Sequence, residues 1–326
     1  MNAKENLLRA IARNAPEYVP HFGGGDFSAA PIQSLSYFGA WAKDYQRGRT
    51  RWVDELWGVE RQSSGEWEKA PAPVGHPLQS LDDLKGYRFP DPHTPGMFDR
   101  VRAEIDKESM LPAGVHPGCL FTRAWTLLGM EGFFAELLLR PDECKQFLRR
   151  LADFDIEIAK QYIEAGVEMG LLADDYGWQE ALMISPAMWR EFIKPELKRI
   201  VDVYKSGGCL VQLHSCGCVQ DIVSDIVELG IDILNPIQAS TNDLPALKAK
   251  YGHGICFSGG VDSNETLMLG TPEDVARETR QRIQELGPGG GYIIGPDQSM
   301  PFPRENLQAL LDTAREYGRY PLKACL

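Results

Sequence analysis

The feature that most constrains this chain is an apolar run that ends in a histidine and a cysteine two residues apart. Residues 210–213 read Leu-Val-Gln-Leu, and they are followed by His214, a serine, Cys216 and a glycine. Because residues i and i+2 of a strand point to the same side, this run presents an imidazole and a thiol together. An amphipathic segment over 219–229 predicts a helix, and the apolar run 230–236 predicts the next strand. This order is typical of a parallel α/β unit, whose site lies at the carboxyl ends of the strands.

Strand-like and helix-like segments alternate over most of the chain. Helical periodicity covers 2–14, 132–166 and 303–317. The runs that predict strands, seven or eight in number, include 18–22, 111–116, 170–177, 210–214, 230–236, 254–260 and 291–297. This rhythm predicts an α/β protein, a single (β/α)8 TIM-type barrel over 1–326. Residues 31–110 are irregular and predict an elaboration over the barrel mouth, with four tryptophans: Trp41, Trp52, Trp57 and Trp67.

The charge balance and the cysteine content narrow the classes of partner and compartment. Acidic residues number 46 and basic residues 34, which gives a net charge of −12 and argues against nucleic acid or an anionic membrane surface as a partner. No apolar stretch reaches membrane-spanning length, and the first residues lack the apolar region of a secretory signal. The seven cysteines are scattered and odd in number, as expected for reduced thiols. We therefore expect a cytoplasmic protein that acts on small molecules.

Polar residues follow several of the predicted strands, where the carboxyl ends of a barrel converge. His214 and Cys216 are the strongest pair, since zinc takes both ligand types, but zinc usually needs at least three protein ligands. The alternative is a strand-end histidine satisfied by the backbone beside a small buried thiol. Cys218 fits a packed thiol better than a ligand. The other candidates are Asp174, Asp175, Asn235, Gln238, Asp262, Asp297 and Gln298, with His116 possible.

Each further candidate has a structural alternative. Asp174 and Asp175 are adjacent and point opposite ways on a strand, so at most one faces the site, and a helix cap or ion pair is the alternative. Asp297 and Gln298 follow an apolar strand, which suits ligand contact, with turn chemistry as the alternative. The glycine-rich run 287–291 precedes a strand, so it is no dinucleotide fingerprint. Four aromatic residues are candidate pocket walls, each equally suited to the core: Phe22, Trp125, Tyr176 and Trp178.

Five short motifs resemble the uroporphyrinogen decarboxylase superfamily: residues 214–217, 229–238, 259–262, 270–273 and 303–306. The resemblance covers about 165–320 well and implies a distorted (β/α)8 barrel. The porphyrinogen decarboxylase itself carries an arginine-rich amino-terminal loop that grips substrate carboxylates. Here residues 21–28 read His-Phe-Gly-Gly-Gly-Asp-Phe-Ser, without arginine. A polyanionic macrocycle needs cations to offset its desolvation, so the chain looks closer to the corrinoid-dependent methyltransferase branch.

In that branch the resemblance implies a zinc ion held by His214, Cys216 and a further ligand. Members that activate thiols carry the third ligand as a cysteine in the loop after the last strand. Residues 295–299 read Gly-Pro-Asp-Gln-Ser here, and no cysteine lies between 256 and 325. A third ligand must therefore be an oxygen donor, from Asp297, Gln298 or Asp175, or else the metal is absent. A site with fewer thiolates is a harder Lewis acid, which suits polarising an ether oxygen.

The resemblance thus implies a methyltransferase of the demethylating kind. We expect it to move a methyl group from a methylated small molecule, best an aryl methyl ether, to the Co(I) corrinoid of a separate carrier protein. Zinc and the carrier's corrinoid are the expected cofactors, and a homodimer is possible. Asp175 and Asp297 are the expected catalytic groups; the expected substrate contacts are Phe22, Trp125, Tyr176, Trp178, Gln238 and Gln298. Two alternatives stay open: a metal-free decarboxylase or lyase of a small carboxylate, using His116 and Arg123, and a non-catalytic ligand-binding barrel.

Overall fold

A computed structural model describes residues 1–22, 31–37, 50–63 and 71–323. Trp41, Trp67 and the glycines after Phe22 lie outside these ranges. Seven parallel strands form one sheet: β1 Ile32–Ser36, β5 Leu111–Pro117, β6 Met169–Ala173, β7 Leu210–His214, β8 Ile233–Ile237, β9 Cys256–Val261 and β10 Tyr292–Pro296. Each of these strands pairs with the next one along the chain. Such an order, with a helical connection after most strands, curls a sheet into a barrel.

The predicted first strand, 18–22, takes the eighth position beside β10. The backbone N–H of Phe22 donates to the Ile294 carbonyl at 2.8 Å, and the Ile294 N–H donates to the Pro20 carbonyl at 2.8 Å. His21 and Ile294 form a parallel bridge. The expectation of a (β/α)8-type barrel is therefore confirmed.

The helices lie along the outside of the sheet: α1 Ala3–Ile11, α2 Asp99–Glu104, α3 Leu120–Leu128, α4 Met130–Leu139, α5 Pro141–Ala165, α6 Pro186–Met188, α7 Lys194–Ser206, α8 Val223–Glu228, α9 Leu244–Tyr251, α10 Pro272–Leu286 and α11 Arg304–Tyr317. Local signals begin several of them. Ser185 accepts a hydrogen bond from the Met188 N–H at the start of α6, and Thr271 and Asp274 form a reciprocal capping box at α10. No helix in the described ranges has the length and hydrophobicity needed to cross a bilayer.

The lower half of the barrel interior is filled, so the site is confined to the upper half. A buried apolar cluster comprises Leu7, Ile11, Ile32, Leu111, Ala113, Met169, Ile233, Cys256 and Ile293. Leu7 and Ile11 come from α1, which brings an apolar face against the strand residues of this cluster. Polar side chains therefore gather only where the strands end.

The structure differs from the expected irregular elaboration over 31–110 in two respects. β1 belongs to the barrel sheet and pairs with β5. A separate antiparallel sheet consists of β2 Arg51–Val53, β3 Glu60–Gln62 and β4 Ala72–Gly75. Trp57, next to this sheet, packs edge-on against Phe154 of α5 at 4.8 Å between ring centroids. This part of the elaboration therefore covers the outer helices.

Candidate active site

Three side chains that can hold a metal ion converge where β6 and β7 end. Asp175 lies just beyond β6, His214 ends β7, and Cys216 follows it. The Cys216 Sγ lies 3.5 Å from the His214 Nε2. The same nitrogen lies 3.9 Å from the Asp175 Oδ1. One ligand atom from each of the three residues lies within 4.8 Å of the others, and the cluster is the sole group of this kind among the described residues.

These distances fit a zinc ion. Tetrahedral zinc with sulfur at about 2.3 Å and nitrogen or oxygen at about 2.0 Å sets its ligand atoms roughly 3.3 to 3.6 Å apart. The sulfur–nitrogen distance already matches, and the Asp175 carboxylate has to move by only about half an ångström. Burial, followed by the nearby Asp175 charge, raises the pKa of the Cys216 thiol to about 12. A bound cation would reverse that shift, because coordination favours the thiolate.

Neighbouring strands fix the orientation of the His214 ring. Asn235 of β8 places its Oδ1 2.9 Å from the His214 Nδ1. The Asn235 Nδ2 in turn donates to the Ser258 Oγ of β9 at 3.1 Å. Accepting from Nδ1–H assigns the proton to that nitrogen and leaves Nε2 free as a metal ligand.

The loop after β7 is held by two glutamines and a close loop contact. The Gln298 Nε2 donates to the Cys216 Sγ at 3.0 Å. The Gln238 Oε1 accepts from the Gly217 N–H at 2.6 Å, so this predicted substrate contact holds the loop. Gly217 has a φ of +80°, and a Cβ there would lie 2.4 Å from the Gly177 carbonyl carbon. Glycine is therefore required for the loops after β6 and β7 to approach each other.

The two predicted acidic pairs are divided between structural and site roles. Asp174 is buried and accepts hydrogen bonds from the Phe121 N–H at 2.9 Å and the Thr122 N–H at 2.6 Å, so it caps α3. Asp175 faces the cluster, as strand alternation requires. Asp297 is 2% exposed and accepts from the Ser263 N–H at 3.0 Å. Burial raises the pKa of Asp297 to about 6, so this carboxyl holds a proton until just below neutral pH.

A cavity of about 350 Å³ extends from this cluster into the barrel. It is lined by Phe22, Ile32, Ser34, Val115, Leu171, Ala173, Gln212, His214, Asn235, Pro236, Pro296, Asp297, Gln298 and Ser299. Apolar side chains form most of the lower wall, and polar ones surround the top. Neither lysine nor arginine occurs among these lining residues. The cavity is at the small end of the range for small-molecule sites, roughly 300 to 1,000 Å³, and suits a single ring.

Comparison with known proteins places the chain in a family. The uroporphyrinogen decarboxylase (URO-D) family matches residues 66–317. This chain belongs to the URO-D family. It is 27% identical over 225 residues to the methylated-thiol–coenzyme M methyltransferase of Methanosarcina mazei, covering 68% of this chain and only 57% of that relative. It is 28% identical over 270 residues to a uroporphyrinogen decarboxylase of an Azoarcus species, covering 74% and 70%.

Two further comparisons concern methyltransferases. The chain is 24% identical over 275 residues to a methylcobamide:CoM methyltransferase of Methanosarcina acetivorans, covering 81% of this chain and 76% of that relative. A solved structure of a methyltransferase from Methanosarcina mazei superposes with a TM-score of 0.72 at 21% identity, covering 97% and 99% of the two chains. That likeness supports the barrel fold. The URO-D relatives include both decarboxylases and methyltransferases, so the reaction has to be argued from the site.

For this URO-D family member, the structure separates the four predicted aromatic contacts. Phe22 lines the cavity. Tyr176 is 1% exposed and packs edge-on against Phe121 and Trp189, so it belongs to the core. Trp178 is 63% exposed and lines a separate shallow depression. Trp125 is half-buried on α3 and is not among the residues around the cavity.

His116 and Arg123, the residues of the metal-free alternative, are buried outside the cavity. The His116 Nδ1 lies 2.8 Å from the Asp155 Oδ1, and its Nε2 lies 2.7 Å from the Tyr204 hydroxyl. These partners belong to α5 and α7, so the ring faces the outer helices. The Arg123 guanidinium stacks 4.5 Å from the Trp57 ring centroid. Neither residue can contact a ligand in the barrel.

The sequence analysis missed Gln212 as a cavity residue. The signal was present, because Gln212 precedes His214 by two positions and must point to the same side. It was read only as part of the apolar run. Ser258, which holds Asn235, has no comparable signal, since its contact depends on the register of β8 and β9.

Proposed function

We propose that this chain is a methyltransferase that moves a methyl group from an aryl methyl ether to the Co(I) corrinoid of a separate carrier protein. The observation that carries the proposal is the cluster of Asp175, His214 and Cys216 above a small, largely apolar cavity. Relatives named as methylcobamide:CoM methyltransferases support a corrinoid as methyl acceptor.

Asp175, His214 and Cys216 would hold the zinc ion. Zinc bound there would act as a Lewis acid on the ether oxygen of the substrate. The set has one thiolate, one imidazole and one carboxylate, which keeps the ion harder than a set with two thiolates would. The amide of Asn235 fixes the imidazole, and Gln298 contacts the thiol sulfur.

The other residues of the cavity position the substrate and supply a proton. Phe22, Val115 and Leu171 surround the ring and exclude water. The methyl carbon leaves the ether oxygen, and both electrons of its new bond come from the Co(I) of the corrinoid substrate. The electrons of the broken C–O bond stay on the phenolate oxygen. The Asp297 carboxyl gives that oxygen a proton, so the products are methyl-Co(III) corrinoid and a phenol.

The cavity argues against the porphyrinogen decarboxylase reaction. It is sized for one ring, and its described lining offers no cation to a polycarboxylate. Residues 21–28 add no arginine in sequence. The metal-free lyase alternative loses its proposed residues, because His116 and Arg123 lie outside the barrel interior.

The proposal is tested by mixing the zinc-loaded protein, free cob(I)alamin and 4-methoxyphenol. We expect the Co(I) absorbance to be replaced by that of methylcobalamin, with one hydroquinone formed per methyl group. Cys216→Ser should abolish the transfer. Cys218→Ser is the matched control, because Cys218 is a buried thiol two residues away and outside the cluster. Ligand binding with no transfer to cobalamin or to a corrinoid protein would contradict the proposal.

A further inference from the structure

One buried amide in the cavity wall has no role in holding the metal cluster. Gln212 lies on β7 two residues before His214, so its side chain enters the barrel one layer lower, about 6.5 Å along the strand. Its registered neighbours are Leu171 on β6 and Ile233 on β8. Gln212 is 5% exposed and is a polar side chain in an apolar part of the wall.

The Gln212 Oε1 is buried and has no hydrogen-bond partner in the described part of the chain. The other amides at this end of the barrel are engaged: Asn235 with His214 and Ser258, Gln238 with Gly217, and Gln298 with Cys216. Buried polar atoms are nearly always paired, because an unmade hydrogen bond costs the full desolvation of the group. An unpaired carbonyl oxygen aimed at a cavity therefore calls for a donor on the ligand.

The charges around the cavity select which donor fits. Asp297 lines it, Asp175 lies at its top, and neither lysine nor arginine is among the lining residues that the structure describes. A carboxylate on the buried end of the substrate would be desolvated without a cation and would face like charges. A hydroxyl group carries no charge and donates one hydrogen bond.

We propose that Gln212 determines substrate specificity by accepting a hydrogen bond from a hydroxyl group on the ring of the methyl donor. This inference rests on the proposed function. The substrate class is then an uncharged methoxyphenol, with its methoxy group at the metal cluster and its hydroxyl one strand layer below. A single ring with substituents at opposite ends matches that separation, and Val115 and Leu171 contact its faces.

The test measures binding by calorimetry to the zinc-loaded protein without any corrinoid. The probes are 4-methoxyphenol, methoxybenzene and 4-methoxybenzoate. We expect the wild-type protein to bind 4-methoxyphenol roughly ten- to a hundredfold more tightly than methoxybenzene, and the benzoate most weakly. Gln212→Met, which keeps the length of the side chain and removes the amide, should bind the first two probes equally. Gln281→Met is the matched control, because Gln281 is exposed on α10.

Three results would overturn the inference: equal binding of the two neutral probes by the wild type, tightest binding of the benzoate, or an unchanged preference in Gln212→Met. Thermal unfolding gives a second readout. Since the amide lacks a protein partner, Gln212→Met should not lower the melting temperature of the ligand-free protein, and a clear fall would make the residue structural. If the hydroxyl preference holds and methyl transfer fails, the proposed function fails alone. If transfer proceeds without the preference, the role of Gln212 fails alone.

Discussion

Replacing Asp297 by asparagine should stabilise the metal-free protein at alkaline pH. Burial raises the pKa of this carboxyl from its ordinary 3.8 to about 6, so the folded chain holds the proton more tightly than the unfolded chain. As the pH rises from 3.8 to 6, the unfolded state loses its proton first, and the free energy of unfolding falls. At about 1.4 kcal/mol per pKa unit, the wild type loses about 3 kcal/mol by pH 8.

The asparagine of the Asp297→Asn variant keeps an oxygen that accepts from the Ser263 N–H but has no proton to lose. Urea unfolding of chelator-treated protein should therefore show a gain in this variant that grows from under about 1 kcal/mol near pH 4 to about 3 kcal/mol at pH 8. Asp312→Asn is the control, since Asp312 is exposed on α11. The same Asp297→Asn change should slow methyl transfer by about 10²- to 10⁴-fold, the range for losing a general acid. A pH-independent difference in stability, or an unimpaired rate, would refute the reasoning.

Three further changes test the supporting contacts. Asn235→Ala removes the acceptor of the His214 Nδ1 and should weaken zinc binding about 10- to 100-fold in a competition titration with a chromophoric chelator; an unchanged affinity would contradict this. His116→Leu leaves buried Asp155 without its partner and should lower the free energy of unfolding by about 3 kcal/mol, while zinc loss from the folded variant would count against a purely structural role. Thr271→Ala removes the cap of α10 and should cost about 1 kcal/mol in urea unfolding, with methyl transfer unaltered.

The parts of the site that could be predicted from the sequence are those fixed by strand geometry. His214 and Cys216 share a side because of the two-residue period, and Asp175 lies beside them because β6 and β7 are consecutive neighbours. The family motifs gave the barrel. Strand β1 could not be recognised, because Ile-Gln-Ser-Leu-Ser has no continuous apolar run and lies in a segment full of tryptophan and glycine.

The loop residues could not be placed because their side chains depend on the path of the loop. Tyr176 turns into the core, where its N–H also donates to the Ser215 Oγ at 2.9 Å, and Trp178 emerges two residues later. Nothing in their composition distinguishes a pocket wall from a core ring or a surface ring. Gln238 was identified by its position after β8, yet its partner is a backbone N–H of the neighbouring loop.

The measurement that tests the account most directly is the zinc content of the purified protein and of the His214→Ala, Cys216→Ser double variant. The account predicts about one zinc ion per wild-type chain, and almost none in a double variant that still folds. The cluster of Asp175, His214 and Cys216 would be contradicted as a metal site by wild-type protein that contains no zinc when purified without chelator and takes up none on reconstitution. Full zinc occupancy in the folded double variant would contradict it equally.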